Sequence, residues 1–462
     1  METPRHALGR REMLKVLASG AVGLAAAACS PAAAPAPTNA PAASAKPYAG
    51  KTVRFLCPDM VYYQLLEKRF PQFTDKTGIK IEMEKIAVPL FVQRGDMELS
   101  SKSGTYNAMH TMFIQIGRWL GAGWTTPLDD FINNAQLTDQ KNVDVADYLP
   151  TAINIMKHGG KIQSLPFMVD WGLIIYRKDI LDKAGVTPPD TYDDLVAAVK
   201  EVHTNEVAGF MARGQPTASQ IMNPFPSFLQ SYGADIFANP PTDMTPAFNN
   251  ENGWKAADVF CGLMRDYAPQ GAISYQDNDA ITAMQQGKAA MWIDAISLFS
   301  NVLDKAKSTV ADKVNFCLVP KGAAGRFPIV GTHGIHIPAD AQDKEAAWQF
   351  IQWATGKETM AEISFNENYP IAPRKSIVQD PKYKEKYSTS WNGFDVGKSM
   401  VDSLTVSTKM AYRTVSEFTP VGDRIGNALQ QIITNQMSTK DAFAAAEADV
   451  RKTLEKAGYK LK

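Results

Sequence analysis

Side chains suited to chemistry are sparse in this sequence, and few of them cluster. His333-Gly-Ile-His336 sets two imidazoles at i and i+3 with no Cys or Glu ligand nearby, which suits packing or a ligand hydrogen bond better than a metal. Asp277-Asn-Asp279 resembles the start of a calcium loop. It lacks the glycine and the final acid that such a loop requires, so it reads as a helix N-cap. Cys57, Cys261 and Cys317 are widely spaced with no C-x-x-C, so at most one disulfide could form. Their contexts favour three buried thiols and argue against structural zinc. There is no G-x-S-x-G elbow, H-E-x-x-H, Walker A loop or G-x-G-x-x-G. Dispersed carboxylates would leave no such motif, so an enzyme stays in view. No catalytic residue, metal or cofactor is expected.

The first residues carry an address. Arg10 and Arg11 precede a weakly apolar run, 16–28, which stops at Cys29. GRREMLK (9–15) resembles a twin-arginine export signal, with Gly9 and Met13 as departures from its commonest form. AAAC (26–29) resembles a lipobox, whose cysteine becomes a lipidated N-terminus. The run is shorter than the ~20 residues of a membrane span. Residues 1–28 are therefore expected to be a signal peptide. Residues 29–50, rich in Ala and Pro, are expected to be a lipid-anchored linker reaching up to about 65 Å in polyproline II.

The remainder is long enough for two or three core-bearing units, and 45% hydrophobic and 10% aromatic residues can fill them. Formal net charge is zero over the whole chain; the first 28 residues carry four basic and two acidic side chains, leaving the rest about −2. No basic stripe is present, which argues against nucleic acid as a partner. Patterning predicts strands over 52–57, 79–86, 173–176 and 289–293. It predicts helices over 64–77, 191–202, 280–286, 344–355 and 439–457, with Gly78 and Gly287 closing two of them. Strands separated by helices argue for α/β lobes with mainly parallel sheets.

Six blocks, in order, resemble extracellular solute-binding proteins of family 1, the maltose-binding-protein-like receptors of ABC importers. FPQFTDKTGI (70–79) is similar to a helix-to-strand step of that family and AGWTTPLDD (122–130) to its "a-G-l-l-x-P-L-D-d" segment. LIIYRKDILDKAG (173–185) followed by PPDTYDDL (188–195) makes a third. GKAAM (287–291), AAWQFI (346–351) and IAPRKS (371–376) complete the set. The resemblance covers essentially all of 51–462.

It implies a two-lobed periplasmic-binding-protein-like α/β fold with a ligand cleft between lobes joined by three hinge crossings. The crossings carry over to 168–171, the neighbourhood of Asp294, and 331–337. Lobe one is then 51–168 plus 295–335, and lobe two 169–294 plus 336–462. The implied function is a substrate-binding lipoprotein that captures a sugar or polyol and delivers it to permease transmembrane subunits by hinge closure. It would be a monomer touching the membrane through its lipid only. A sensor without a permease and an exported carbohydrate-active enzyme are the competing readings.

Polyhydroxy ligands want aromatic faces beside polar side chains. Asp170 and Trp171 supply both at the first crossing; Trp292 and Asp294, on one face of a strand, supply both at the second. The alternative is that these Trp residues are core and these Asp residues are caps. Asp59 follows the first strand, at the end where open α/β sheets place ligands. Gln115 matches a cleft-lining segment of the family. Phe225 either stacks on a sugar or packs. Thr332 and His333 lie at the third crossing, and Tyr369 and Arg374 bracket a Tyr-Pro-Ile-Ala-Pro-Arg run. Arg374 has the alternative of holding a structural carboxylate. A monosaccharide, a sugar alcohol and a short oligosaccharide all suit this set.

Overall fold

The computed structural model describes residues 46–462 apart from Asn368 and Val406. The expected signal peptide, Cys29 and most of the linker lie outside the described residues. A seven-stranded mixed sheet organises the chain. Its strands are β1 (Thr52–Pro58), β2 (Lys80–Ile86), β3 (Ala108–Thr111), β4 (Leu165–Arg177), β5 (Met291–Ala295), β6 (Val314–Leu318) and β7 (Val330–His336). The order is β6-β4-β7-β3-β1-β2, with β5 also on β4.

β4 is the element that positions everything else. Its sequence, LPFMVDWGLIIYR, is an apolar run too continuous for a sheet with one wet face, and every residue but Arg177 is buried. The strand serves two neighbourhoods. Residues 165–171 pair antiparallel with β7, which continues onto β3 and so to β1. Residues 172–177 instead lie between β5 and β6. One contiguous core runs along both halves. Phe55 meets Tyr63 and Phe350, both at 5.1 Å between ring centres, beneath helix Lys344–Ala354. Beyond the second half, Phe260 packs against Phe225 and Phe228, at 5.5 and 5.1 Å.

Most expected elements form. Helix Tyr192–Val202 starts with a capping box: Thr191 Oγ1 accepts from Asp194 N at 3.1 Å, and Thr191 N donates to Asp194 Oδ2 at 2.9 Å. Helix Asp277–Gln285 begins where the Asp-Asn-Asp run was read as a helix start, with Asp279 accepting from Gln276 N at 3.0 Å. Cys57, Cys261 and Cys317 are free thiols. Among the described residues, no helix is long and apolar enough to cross a membrane.

One expectation needs correction, and one set of pairings crosses another. The sheet is not mainly parallel: β1–β2 and β1–β3 are parallel, whereas β7 runs antiparallel to β3 and β4, and β5 and β6 run antiparallel to β4. The pairing also departs from the expected partition. Residues 314–318, expected with the first strands, pair with 173–177; helix Lys344–Ala354, expected with the second lobe, packs on β1. A strand uniformly buried along its length gives no sequence cue to which half a short partner will join.

Truncating Ile174, buried in the half of β4 that β5 and β6 flank, tests how much this strand carries. Ile174→Ala should lower the unfolding free energy by about 2–5 kcal/mol, read as a lower urea midpoint.

Candidate functional site

The end of β3, the middle of β4 and the start of β7 meet at one place, and Phe113 marks it. Its ring lies so close over Gly331 that a Cβ there would come within 2.8 Å of it. The same ring meets His333 edge-on at 5.3 Å and carries the Arg413 guanidinium over its face at 4.6 Å. Gln115, two residues on, sits at the start of helix Ile116–Gly121, and its backbone N–H is taken up by Met112 O at 2.9 Å. Thr332 pairs with Val169 and His333 with Met168, while Asp170 lies opposite Gly331.

Polar groups here are buried but incompletely satisfied. Gln115 is 3% exposed, yet among the described residues neither its Oε1 nor its Nε2 has a partner, and Thr332 Oγ1 is equally unpartnered. Each such group costs about 1–3 kcal/mol when left unpaired away from water. The imidazoles are neutral. Burial pushes His333 down to about 3, with Arg413 adding to the effect, and burial alone takes His336 down to about 3. Tyr63 OH lies 2.6 Å from His110 Nδ1, and His110 Nε2 lies 3.1 Å from His333 Nδ1. With Tyr63 donating, His110 keeps its proton on Nε2 and donates onward, so His333 presents Nε2–H as a donor. Asp170 accepts from Ser297 N at 3.1 Å and Ser297 Oγ at 2.5 Å, while burial pushes its carboxyl up to about 6.

Asp170, Thr332 and His333 thus lie on the paired stretch of β4 and β7, with Thr332 and His333 on opposite faces of their strand, and Gln115 lies just beyond Phe113; the other expected residues are placed elsewhere. Trp171 is fully buried and donates to Ser399 Oγ at 3.1 Å, and Trp292 packs edge-on against Phe299 at 5.0 Å. Phe225 lies in the Phe260 cluster. All three take the packing alternative, because their strands and helix face core on the side these rings occupy. Asp294 is consumed by Arg213, which grips it at 2.6 and 2.9 Å, and it also accepts from Trp292 Nε1. Asp59 is exposed and accepts from Gln64 at 3.0 Å. Arg374 donates to Val143 O and Thr355 O at 3.0 and 2.6 Å, stacks 3.8 Å over Tyr148 and lies 3.5 Å from Asp147, a structural post. Tyr369 is buried, its hydroxyl 3.3 Å from Met168 Sδ and its ring tilted 5.5 Å from Tyr62.

Sequence reasoning missed Ser297, Arg213 and Arg413. The first two act on partners 127 and 81 residues away, and no local pattern announces such pairs. Arg413 lies in a short 3-10 stretch, Ser407–Thr414, with no periodicity to mark it. It is 1% exposed and donates to Tyr412 OH, Met222 O and Asn223 Oδ1 at 3.0, 3.1 and 3.5 Å.

Donors and acceptors beside a shared strand suit reversible binding of a hydroxyl-bearing solute, since a hydroxyl both donates and accepts. Residues 58–361 match the family of bacterial extracellular solute-binding proteins, and this chain belongs to it. A mannitol-binding protein of Pseudomonas aeruginosa is 25% identical over 422 residues, covering 87% of this chain and 92% of that one. An erythritol/L-threitol-binding protein of Mycolicibacterium smegmatis is 23% identical over 345 residues, 71% and 72% of the two chains. The crystal structure of an ABC transporter solute-binding protein from Agrobacterium radiobacter, in complex with ribitol, superposes with a TM-score of 0.79. It is 23% identical and aligns over 88% of this chain and all of that one. The fold is thus the two-lobed α/β fold of these receptors.

Structural and ligand-facing roles separate on mutation. Asp294→Ala removes the two closest partners of the buried Arg213 guanidinium, leaving Asp277 at 4.0 Å as its nearest carboxylate, and should cost about 3 kcal/mol of stability. Gln115→Leu removes two unsatisfied polar atoms and should leave the melting temperature of the free protein unchanged or raised. Both effects are read by thermal unfolding.

Proposed function

We propose that this chain is the substrate-binding lipoprotein of an ABC importer and that it captures a small sugar alcohol or sugar between its lobes. The observation that carries the reading is two buried side chains whose polar atoms have no partner among the described residues: Gln115, at the start of helix Ile116–Gly121, and Thr332, opposite Val169 of β4. Solute hydroxyls arriving there satisfy both an amide donor and an amide acceptor, with His333 and Asp170 alongside. The trio of mannitol, erythritol and ribitol among the relatives' ligands favours an acyclic polyol over an oligosaccharide. So does the burial of Trp171, Trp292 and Phe225, which removes the broad stacking faces a longer sugar would use.

The lobes we assign follow the pairing rather than the expected boundaries. Lobe one comprises 51–170 and 331–390, and lobe two 172–329 and 392–462. The crossings fall within β4 near Asp170, just before Gly331, and near Trp391, whose ring meets Phe316 of β6 at 4.8 Å. A solute that touches both lobes only when they are shut shifts the open–closed equilibrium by its differential binding energy. The permease then meets the closed, loaded form. The Arg10-Arg11 leader and Cys29 support export and a lipid anchor outside the cytoplasm, with the chain acting as a monomer.

Thermal unfolding against ribitol, D-mannitol, erythritol, maltose and amino acids tests the reading. One polyol at 100 times its dissociation constant should add about 2.7 kcal/mol of stability and be recovered unchanged. No shift with any polyol or sugar, or chemical turnover of one, would contradict it.

A further inference from the structure

One segment of the second lobe is docked on the first in a way that neither the family resemblance nor the site residues expected from sequence account for. The stretch from Arg413 to Ser416 precedes helix Phe418–Ile433, which is fixed in lobe two: Asp423 accepts from Ala218 N at 2.7 Å, and Gly422 approaches Ala218 closely. Its opposite wall is helix Ile116–Gly121 of lobe one, anchored by Trp119 against Phe91 and His336, at 6.1 and 5.7 Å between ring centres. Three contacts close the seam. Arg413 covers Phe113, Ser416 Oγ donates to Gly117 O at 3.2 Å, and the backbone at Thr414 lies against Gly117. A Cβ on Gly117 would sit 2.2 Å from Thr414 O and 2.6 Å from the Val415 carbonyl carbon, closer than any real contact.

Gly117 is otherwise a poor choice. It lies inside a helix, where alanine is favoured over glycine, so its presence is explained by the approach of Thr414. Arg413 is equally particular. It is buried at the seam with no carboxylate within ion-pair distance among the described residues; uncharged oxygens meet it, and the rings of Phe113, Tyr412 and Phe418 lie 4.6, 5.5 and 6.0 Å from it. A buried guanidinium in such company is stabilised by further oxygens in the plane of its fork.

We propose that Arg413 is the specificity-determining residue that lobe two contributes, gripping a vicinal hydroxyl pair of the solute, and that docking of its strap on Gly117 is the step that completes closure. This rests on the receptor reading above. Vicinal oxygens match the spacing of guanidinium N–H groups, as an ammonium does not. Lobe one supplies Phe113 and His333 as the fixed wall, and the strap brings the opposing jaw. Solute binding and strap docking are then one coupled event.

The test uses the full chain as wild type, Gly117→Ala and Arg413→Lys, titrated with ribitol, D-mannitol and erythritol. Calorimetry reads affinity and small-angle scattering reads compaction. Gly117→Ala should leave the melting temperature of the free protein equal or higher, yet weaken the best polyol at least tenfold and abolish its compaction. Arg413→Lys keeps the charge but should also weaken that polyol at least tenfold. Wild-type affinity and compaction in either variant would overturn the proposal while leaving the receptor reading intact. If wild type itself binds none of the three polyols, the receptor reading fails and the jaw with it.

Discussion

A single strand must satisfy two sets of partners. β4 is 13 residues long, about 40 Å at the rise of an extended chain, and nearly every residue along it is buried. Its backbone groups are paired by β7 along one half and by β5 and β6 along the other. Neither half can be unpaired without exposing a ladder to unmet hydrogen bonds, so the strand ties the two halves together. Asp170 stands at the changeover, a carboxylate in an apolar run, held by Ser297 from the far side. The site lies where it does because the strand changes partners there, and the ends of β3 and β7 bring their side chains to that point.

The energetics of the site differ from those of the frame. Frame charges are fully matched: Arg213 with Asp294, and Arg374 with backbone carbonyls, Tyr148 and Asp147. Their removal leaves a buried partner unsatisfied, so they report on stability. Site groups are the reverse. The amide of Gln115 and the hydroxyl of Thr332 are a standing cost to the free protein. Locally inconsistent positions of this kind are expected where a fold has been shaped for something other than its own stability. The neutral histidine chain through Tyr63, His110 and His333 adds directional hydrogen bonding without adding charge, as an uncharged solute requires.

Local order was legible in the sequence, and long-range pairing was not. The capping box at Thr191, the helix start at Asp277 and the amphipathic tail helix Thr439–Lys456 follow from spacing alone. Gln115, Asp170, Thr332 and His333 were reached through a family resemblance, and the last three lie on the paired stretch of β4 and β7. Trp171 and Trp292 show the limit: a Trp beside an Asp on a strand looks the same whether its ring faces a cleft or a core. Here the deciding neighbours, Ser399 and Phe299, come from helices that pack on the strand. Arg213 and Arg413 were invisible because their partners are distant in sequence. A continuous apolar run likewise hides the point at which a strand changes partners.

The central claim is that Gln115 and Thr332 are completed by solute hydroxyls. Native mass spectrometry of the chain, incubated with an equimolar mixture of ribitol, D-mannitol and erythritol, tests it most directly. The wild-type protein should retain one equivalent of a single polyol, and a Gln115→Leu, Thr332→Val double variant should retain none while keeping its native charge-state distribution. Equal retention by both proteins, or none by the wild type, would contradict the account.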